Sequence, residues 1–148
     1  MAVDPYDEKQ IGASDTIIRR ISPEQHVVWD ENRKRKRISS KAYNKSSGPR
    51  DGMSVDIEKL IVAAGQDPRV YVTTPRFAGS VAMPAGKVRE LDLWVGYDPV
   101  KDAPNEPDNP HHGEVWATKP KKSFTDAQTN GLARLARWYV ELPDVDIA

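Results

Sequence analysis

Alternation of apolar and polar positions predicts that strands dominate this chain. The candidate strands are Thr16–Ser22, His26–Asp30, the extended segment Ile38–Tyr43, and four segments that begin at Arg69, Phe77, Glu90 and Gly113. Several of these candidates contain β-branched or aromatic residues and are separated only by short connections rich in turn-forming residues. Short connections favour antiparallel pairing of neighbouring strands.

Two segments instead have the spacing of amphipathic helices. The first begins at Ser54, which has the side chain of an N-cap, and ends at Gly65. The second runs from Thr125 to Leu142, and Thr125 and Gln128 have the spacing of a capping box. Together the elements predict an α+β fold with a mostly antiparallel sheet of about five to six strands and two packed helices.

The expected organisation is one domain over residues 15–143, after a flexible segment 1–14 and before a short tail 144–148. The connection from Asp98 to Gly113 contains four prolines. A connection of this length without regular structure is usually functional or disordered, and both alternatives remain open.

Composition excludes several classes of function. Lys plus Arg and Asp plus Glu both number 22, so any attraction to a polyanion must come from a local patch. The chain has no cysteine, which excludes disulfides, thiolate metal sites and cysteine nucleophiles, and fits a cytoplasmic location. No apolar run reaches the length of a membrane span, and the N-terminus does not resemble a signal peptide. We therefore expect a soluble cytoplasmic protein with no membrane partner.

One local patch is a run of five consecutive basic residues. These are Arg33, Lys34, Arg35, Lys36 and Arg37. Such a run can neutralise phosphates, but no aromatic residue interrupts it and no nucleic-acid-reading motif surrounds it. Because the run lies between two strand candidates, we predict a charged hairpin tip that is solvated or contacts a protein partner. Nucleic-acid binding through the same residues is the alternative.

The candidate catalytic residues come from two separate segments. His26 is followed by Ser39 and Ser40, and a shared cleft would place a base beside a hydroxyl. His112 and Glu114 are separated by one residue at the start of a predicted strand, and in a strand such residues share a face, so they could converge on a substrate group or a metal. Asp98 and Asp108 would add oxygens only if the proline-containing connection folds back. Two ligands are too few for zinc, so no metal site is predicted, and the cofactor is unknown.

The segments RRISPEQHVVWDENRKRKRISSKAY, GMSVDIEKLI, NPHHGEVWATK and ARLARWYVELP resemble a family of small uncharacterised bacterial proteins. The likeness covers residues 17–143, and its pattern combines RRI-P, HVV-D-N, SS-A-F/Y and MSV with a late His and a final LP. The resemblance brings no reaction with it. It directs attention to Arg19, Arg20, His26, Ser39, Ser40, Ser54 and His112.

A second resemblance is to the residue order of ADP-ribosyltransferases, in which an early Arg or His precedes a Ser-rich segment and a late Glu. Arg20 or His26, then Ser39 and Ser40, then Glu114 follow that order. This likeness implies an enzyme acting on a nucleotide or NAD-like substrate, with His26, Ser39, Ser40, His112 and Glu114 around one pocket. The leading prediction is instead a small bacterial interaction or accessory module with a protein or nucleic-acid partner, in a multi-component system of the phage-defence kind. Whether it is an enzyme is left open.

Overall fold

The computed structural model describes residues 3–44, 52–118 and 123–147, and within them nine strands form two sheets. The strands are β1 (Thr16–Ile21), β2 (Val27–Asp30), β3 (Arg35–Ile38), β4 (Met53–Ile57), β5 (Gly79–Pro84), β6 (Leu93–Tyr97), β7 (His112–Ala117), β8 (Arg137–Val140) and β9 (Val145–Asp146). The α-helices are α1 (Pro23–His26), α2 (Glu58–Ala63), α3 (Pro68–Tyr71), α4 (Ala85–Arg89) and α5 (Asp126–Leu135), and Ser40–Tyr43 form a 3-10 helix.

The larger sheet has the strand order β6-β7-β4-β1-β5-β8, and every pair of neighbours is antiparallel. The smaller sheet has the order β2-β3-β9. The predicted α+β class with a mostly antiparallel sheet is confirmed. Five α-helices are described rather than the two predicted, and only α5 has seven or more residues. None of the described helices has the length and apolar character that a membrane crossing requires.

The main hydrophobic core covers one face of the larger sheet. Ile17 lies opposite Met83 on β5 and Ile57 on β4, and all three side chains are fully or almost fully buried. Alternation along each strand brings these residues to the same face, where Leu132 of α5 and Tyr43 of the 3-10 helix join the same core cluster. A smaller cluster that contains Ile18 lies on the opposite face.

The helix predicted from Ser54 is wrong in its first half. Met53–Ile57 form strand β4, which pairs with β1 and β7, and the helix begins only at Glu58. The pattern from Met53 to Ile57 also has a period of two, and pairing with two neighbouring strands favours that period over the local helical signals. The predicted helix end is confirmed, because Gly65 has a φ of 77° just after α2.

Three other element predictions need correction. The capping box of Thr125 and Gln128 is present, but α5 ends at Leu135 and the next residues form β8 beside β5. The segment from Arg69 is helical rather than extended, because Asp67 caps α3 and Pro68 occupies its first turn. The segment Ile38–Tyr43 is extended only at its start and then becomes the 3-10 helix.

Both predicted end segments contact the folded domain. Within the segment predicted to be flexible, Ile11 is fully buried and Asp7 forms an ion pair with Arg89 at 2.9 Å. Tyr6 accepts a hydrogen bond from the backbone N–H of Tyr97 at 2.9 Å. In the predicted tail, β9 pairs in parallel with β3. These contacts place both ends against the sheets.

The proline-containing connection is anchored to the larger sheet. Val100 and Asn109 exchange two backbone hydrogen bonds, at 2.8 and 2.9 Å. The Asn109 amide donates to Asp56 of β4 at 2.8 Å and accepts from the Tyr71 hydroxyl at 2.8 Å. Asp56 also receives two hydrogen bonds from the Arg20 guanidinium, at 2.8 and 3.1 Å. The connection is therefore held by a network of polar contacts.

Candidate functional sites

The basic run lies on the hairpin formed by β2 and β3. The turn occupies Glu31–Lys34, and Asp30 initiates it by accepting hydrogen bonds from the backbone N–H groups of Asn32 and Arg33. These hydrogen bonds, that from Arg33 first, lower the pKa of Asp30, and the positive charge of Arg37 adds to the effect. The predicted hairpin is therefore present, with its tip built around one carboxylate.

At least three of the five basic residues pair with a carboxylate of the hairpin or of the neighbouring strand β9. Lys34 pairs with Glu31 at 2.8 Å, Arg35 with Asp146 at 3.1 Å and Arg37 with Asp30 at 3.3 Å. These pairs are exposed or partly exposed, so each contributes little to stability, but they reduce the positive field of the run. The hairpin is consequently less cationic than its sequence indicates.

The exposed aromatic residue of this hairpin is Trp29. Its side chain is 53% exposed, it lies directly opposite Lys36, and its neighbour Val28 is 38% exposed. Sequence reasoning looked for an aromatic residue inside the basic run and missed this cross-strand pair. The length of the turn could have indicated this pair, because a four-residue turn after Asp30 places Trp29 directly opposite Lys36.

Among the described strands, β2 is an edge of the smaller sheet, and Trp29 lies on that edge strand. The backbone N–H of Ser39 donates to the carbonyl of His26 at 2.7 Å, which fixes the alternation of hydrogen-bonded pairs along the hairpin. By that alternation Trp29 and Lys36 are a non-hydrogen-bonded pair, so the peptide groups of Trp29 point away from β3. An exposed tryptophan and outward peptide groups therefore occupy the same position.

His26 is a buried structural residue in this arrangement. Its Nδ1 accepts a hydrogen bond from the backbone N–H of Ser22 at 2.9 Å. Burial lowers the pKa of His26 to about 4, and the positive charges of Arg19 and Arg76 add to the shift. The imidazole is therefore neutral at pH 7 and helps to close the first turn after β1.

The predicted serines lie near His26 along the backbone but have different roles. Ser39 caps the 3-10 helix, and its hydroxyl accepts from the backbone N–H of Lys41 at 3.2 Å. Ser40 is exposed to solvent. Neither hydroxyl has a described hydrogen bond to the His26 ring. Ser54, singled out by the family resemblance, lies on β4 opposite Glu114.

His112 and Glu114 do share one face of β7, as the sequence predicted. The His112 Nε2 and a Glu114 carboxylate oxygen are 3.7 Å apart. Gly113 between them passes close to β6, where a Cβ would lie 2.7 Å from the carbonyl oxygen of Gly96. Asp98 joins this pair at the end of β6, because its backbone N–H donates to the carbonyl of His112 at 3.0 Å. Asp108 instead accepts from the backbone N–H of Asp102 at 3.0 Å.

Arg19 is buried between the two groups of candidate residues. Its guanidinium donates to the carbonyl oxygens of Ala42, at 2.8 Å, and Ser54, at 3.0 Å. Burial lowers its pKa to about 10, and the Glu114 carboxylate acts in the opposite direction. Burial also raises the pKa of Tyr43, which lies in the same interior region. Arg19 thus affects both His26 and Glu114 electrostatically, although no described hydrogen bond joins those two residues.

A shallow groove lies apart from all of these candidates. It is lined by Thr16, Ala82, Met83, Pro84, Lys87, Arg134, Leu135 and Arg137. None of the predicted catalytic residues lines it, and neither does any residue of the basic run. The described structure therefore does not place the predicted catalytic residues around this groove.

Comparison of the chain with models of protein families, with curated proteins and with solved structures finds no match. Two local arrangements of residues can therefore indicate a function. One is the exposed hairpin edge at Trp29, and the other is the buried cluster at His112.

Proposed function

We propose that this protein is an interaction module that binds a protein partner through the edge of the β2–β3 hairpin. The observation that supports it is Trp29, which combines an exposed aromatic side chain with peptide groups at an open sheet edge. Exposed strand edges are usually blunted in proteins, and they are also the site of strand addition by partners. Tryptophan is among the residues most enriched at binding hot spots.

The surrounding residues fit a protein partner better than a nucleic acid. Val28 adds a second exposed apolar side chain to the same strand. Carboxylates partner Lys34, Arg35 and Arg37, so fewer cations remain for phosphates than the sequence indicates. Lys36, opposite Trp29, gives the edge a positive charge that favours a partner segment with acidic residues.

The test compares binding by the wild type and by two variants, in each of which one exposed apolar side chain is replaced by Ser. Trp29→Ser removes the proposed anchor, and Val70→Ser removes an exposed apolar side chain on α3, where Val70 is 71% exposed. Proteins retained from a bacterial lysate are identified, and the candidate partner is purified and titrated against all three proteins. Loss of a hot-spot tryptophan is expected to cost at least about 2 kcal/mol, which weakens binding about 30-fold.

The same experiment separates the alternatives. Equal affinity of Trp29→Ser and wild type contradicts the proposal. Binding that disappears after nuclease treatment, and that falls steeply with salt in the purified system, identifies a nucleic-acid partner instead. Changing all five residues of the basic run to Ser would then weaken binding to DNA or RNA, whereas a protein partner anchored on Trp29 would be less affected.

The enzyme alternative stays a prediction and has weaker support. Among the described contacts, His26 associates with Ser22 and Ser39, whereas His112 associates with Asp98 and Glu114. Ser40 is exposed and Glu114 is fully buried. Incubation with NAD+ and measurement of nicotinamide release, for the wild type and Glu114→Gln, would test it. Release by the wild type alone would favour the enzyme over the interaction module.

A further inference from the structure

The buried cluster on the larger sheet brings together three metal-ligating residue types. Among the described residues, Asp98, His112 and Glu114 each place one ligand atom so that the three atoms lie within 4.8 Å of one another. The three residues are 1%, 6% and 0% exposed, respectively. Buried ionisable groups of this kind occur where they are paired or coordinate a metal ion.

The backbone holds the three residues in a fixed relation. His112 and Glu114 are alternate residues of β7, so their side chains leave the sheet on the same face. Asp98 directly follows β6 and is hydrogen-bonded to His112 through the backbone, at 3.0 Å. Both strands lie in the six-stranded sheet, which gives the cluster a rigid base.

The orientation of the imidazole is the second observation. The His112 Nδ1 is 2.6 Å from the backbone carbonyl oxygen of Asp98. A carbonyl oxygen only accepts, so Nδ1 carries the proton and donates it. In the neutral ring the lone pair is then on Nε2, which faces the Glu114 carboxylate at 3.7 Å. Metal-ligating histidines show this pattern, with one nitrogen donating to a carbonyl and the other bound to the ion.

We propose that Asp98, His112 and Glu114 form a binding site for a divalent transition-metal ion. An imidazole nitrogen suits zinc, iron, copper or nickel better than magnesium or calcium, which prefer sites made entirely of oxygens. The two carboxylates supply negative charge for a divalent cation. Three protein ligands also leave a coordination position for water or for another group. The rival explanation is a polar cluster that interacts with Arg19 and binds no metal.

The first experiment uses the untagged wild-type protein and Zn²⁺ as the probe. The protein is dialysed against a chelator, returned to metal-free buffer, and incubated with increasing Zn²⁺. Because the chain has only three histidines, the ring nitrogens can be followed individually in two-dimensional ¹H–¹⁵N spectra. We expect the Nε2 resonance of His112 to shift with one equivalent of Zn²⁺, while the rings of His26 and His111 remain unchanged.

The second experiment uses matched variants of two adjacent histidines. His112→Asn keeps a donor close to the position of Nδ1 and removes Nε2. His111→Asn makes the same change at a ring that contacts Gln66 at 3.1 Å, outside the cluster. We expect His112→Asn to weaken Zn²⁺ binding at least about tenfold in calorimetry, because changing even a group that merely orients a ligand has effects of that size. His111→Asn is expected to bind as the wild type does.

Several results would overturn the proposal. They are the absence of a His112 shift at excess Zn²⁺, equal shifts of all three rings, and equal Zn²⁺ affinity of His112→Asn and wild type. Circular dichroism checks that each variant is folded. If His112→Asn does not fold, Asp98→Asn takes its place in calorimetry. The wild-type spectra still show whether Zn²⁺ binds at His112. None of these measurements depends on the partner that binds at Trp29.

Discussion

Replacing the buried Arg19 by Met is expected to cause the largest loss of stability among the arginine variants that we consider. The guanidinium donates to the carbonyls of Ala42 and Ser54, and it has a favourable interaction with the Glu114 carboxylate. Met has a similar length and fills much of the same volume, so the substitution mainly removes charge and hydrogen bonds. It also leaves one buried carbonyl oxygen, that of Ala42, and one partly buried carbonyl oxygen, that of Ser54, without these donors.

The magnitude follows from these contacts. A hydrogen bond that involves a charged group contributes about 1.5–3 kcal/mol, and breaking a buried charge interaction by removing one partner costs about 3–5 kcal/mol. The terms overlap, so we expect Arg19→Met to lower the free energy of unfolding by about 3–5 kcal/mol. This is a large fraction of the roughly 5–15 kcal/mol that stabilises a typical domain.

The assay is equilibrium unfolding in urea at pH 7, followed by tryptophan fluorescence. Arg37→Met is the matched control, because the Arg37 side chain is 37% exposed and pairs with Asp30 at 3.3 Å. The control is expected to lose less than about 1 kcal/mol. Arg19→Lys keeps the charge but not the planar fork, so its stability should fall between that of Arg19→Met and the wild type. Equal losses in Arg19→Met and Arg37→Met would refute the reasoning.

Two further predictions concern local structure. Burial lowers the pKa of His26 from 6.5 in the unfolded chain to about 4 in the folded protein. The neutral ring therefore contributes fully to the free energy of unfolding above pH 6.5, and this contribution is lost as the pH falls toward about 4. His26→Asn can still accept a hydrogen bond from the Ser22 N–H. It should reduce the loss of unfolding free energy between pH 6.5 and 4 by about 3 kcal/mol in urea unfolding, and an unchanged pH dependence would contradict this. Thr125→Ala removes the capping box of α5 and should lower the free energy of unfolding by about 1 kcal/mol. The control is Glu24→Ala, which changes an exposed residue and should leave stability nearly unchanged. Equal losses of stability in thermal unfolding would show that the cap is unimportant.

Local signals in the sequence were sufficient for elements whose ends are defined by their own residues. Thr125 and Gln128 identified the start of α5, and Gly65 identified the end of α2. The strand candidates from Thr16, which is rich in β-branched residues, and from Gly113 correspond to β1 and β7. In each case, the residues that define the element are neighbours in the chain.

The errors arose where partners distant in sequence decide the conformation. Met53–Ile57 carries both helical and strand signals, and only pairing with β1 and β7 selects the strand. The segment after Leu135 similarly becomes β8 because β5 offers an open edge. A single sequence contains no register between such strands, so the choice could not be made locally.

The candidate sites show the same division. The pair of His112 and Glu114 was predicted because both residues lie on one strand. Asp98 could only be named conditionally, since its approach depends on the pairing of β6 with β7. Trp29 was placed on its strand correctly, but its importance depends on the register with Lys36 and on the open edge of β2.

The most direct test of the proposed interaction is hydrogen exchange of the hairpin in the free protein and in the complex with its purified partner. The outward N–H groups of Val27 and Trp29 should exchange rapidly in the free protein and become strongly protected in the complex. Protection confined to another surface, such as the groove lined by Lys87 and Arg134, with unchanged exchange along β2, would contradict the account.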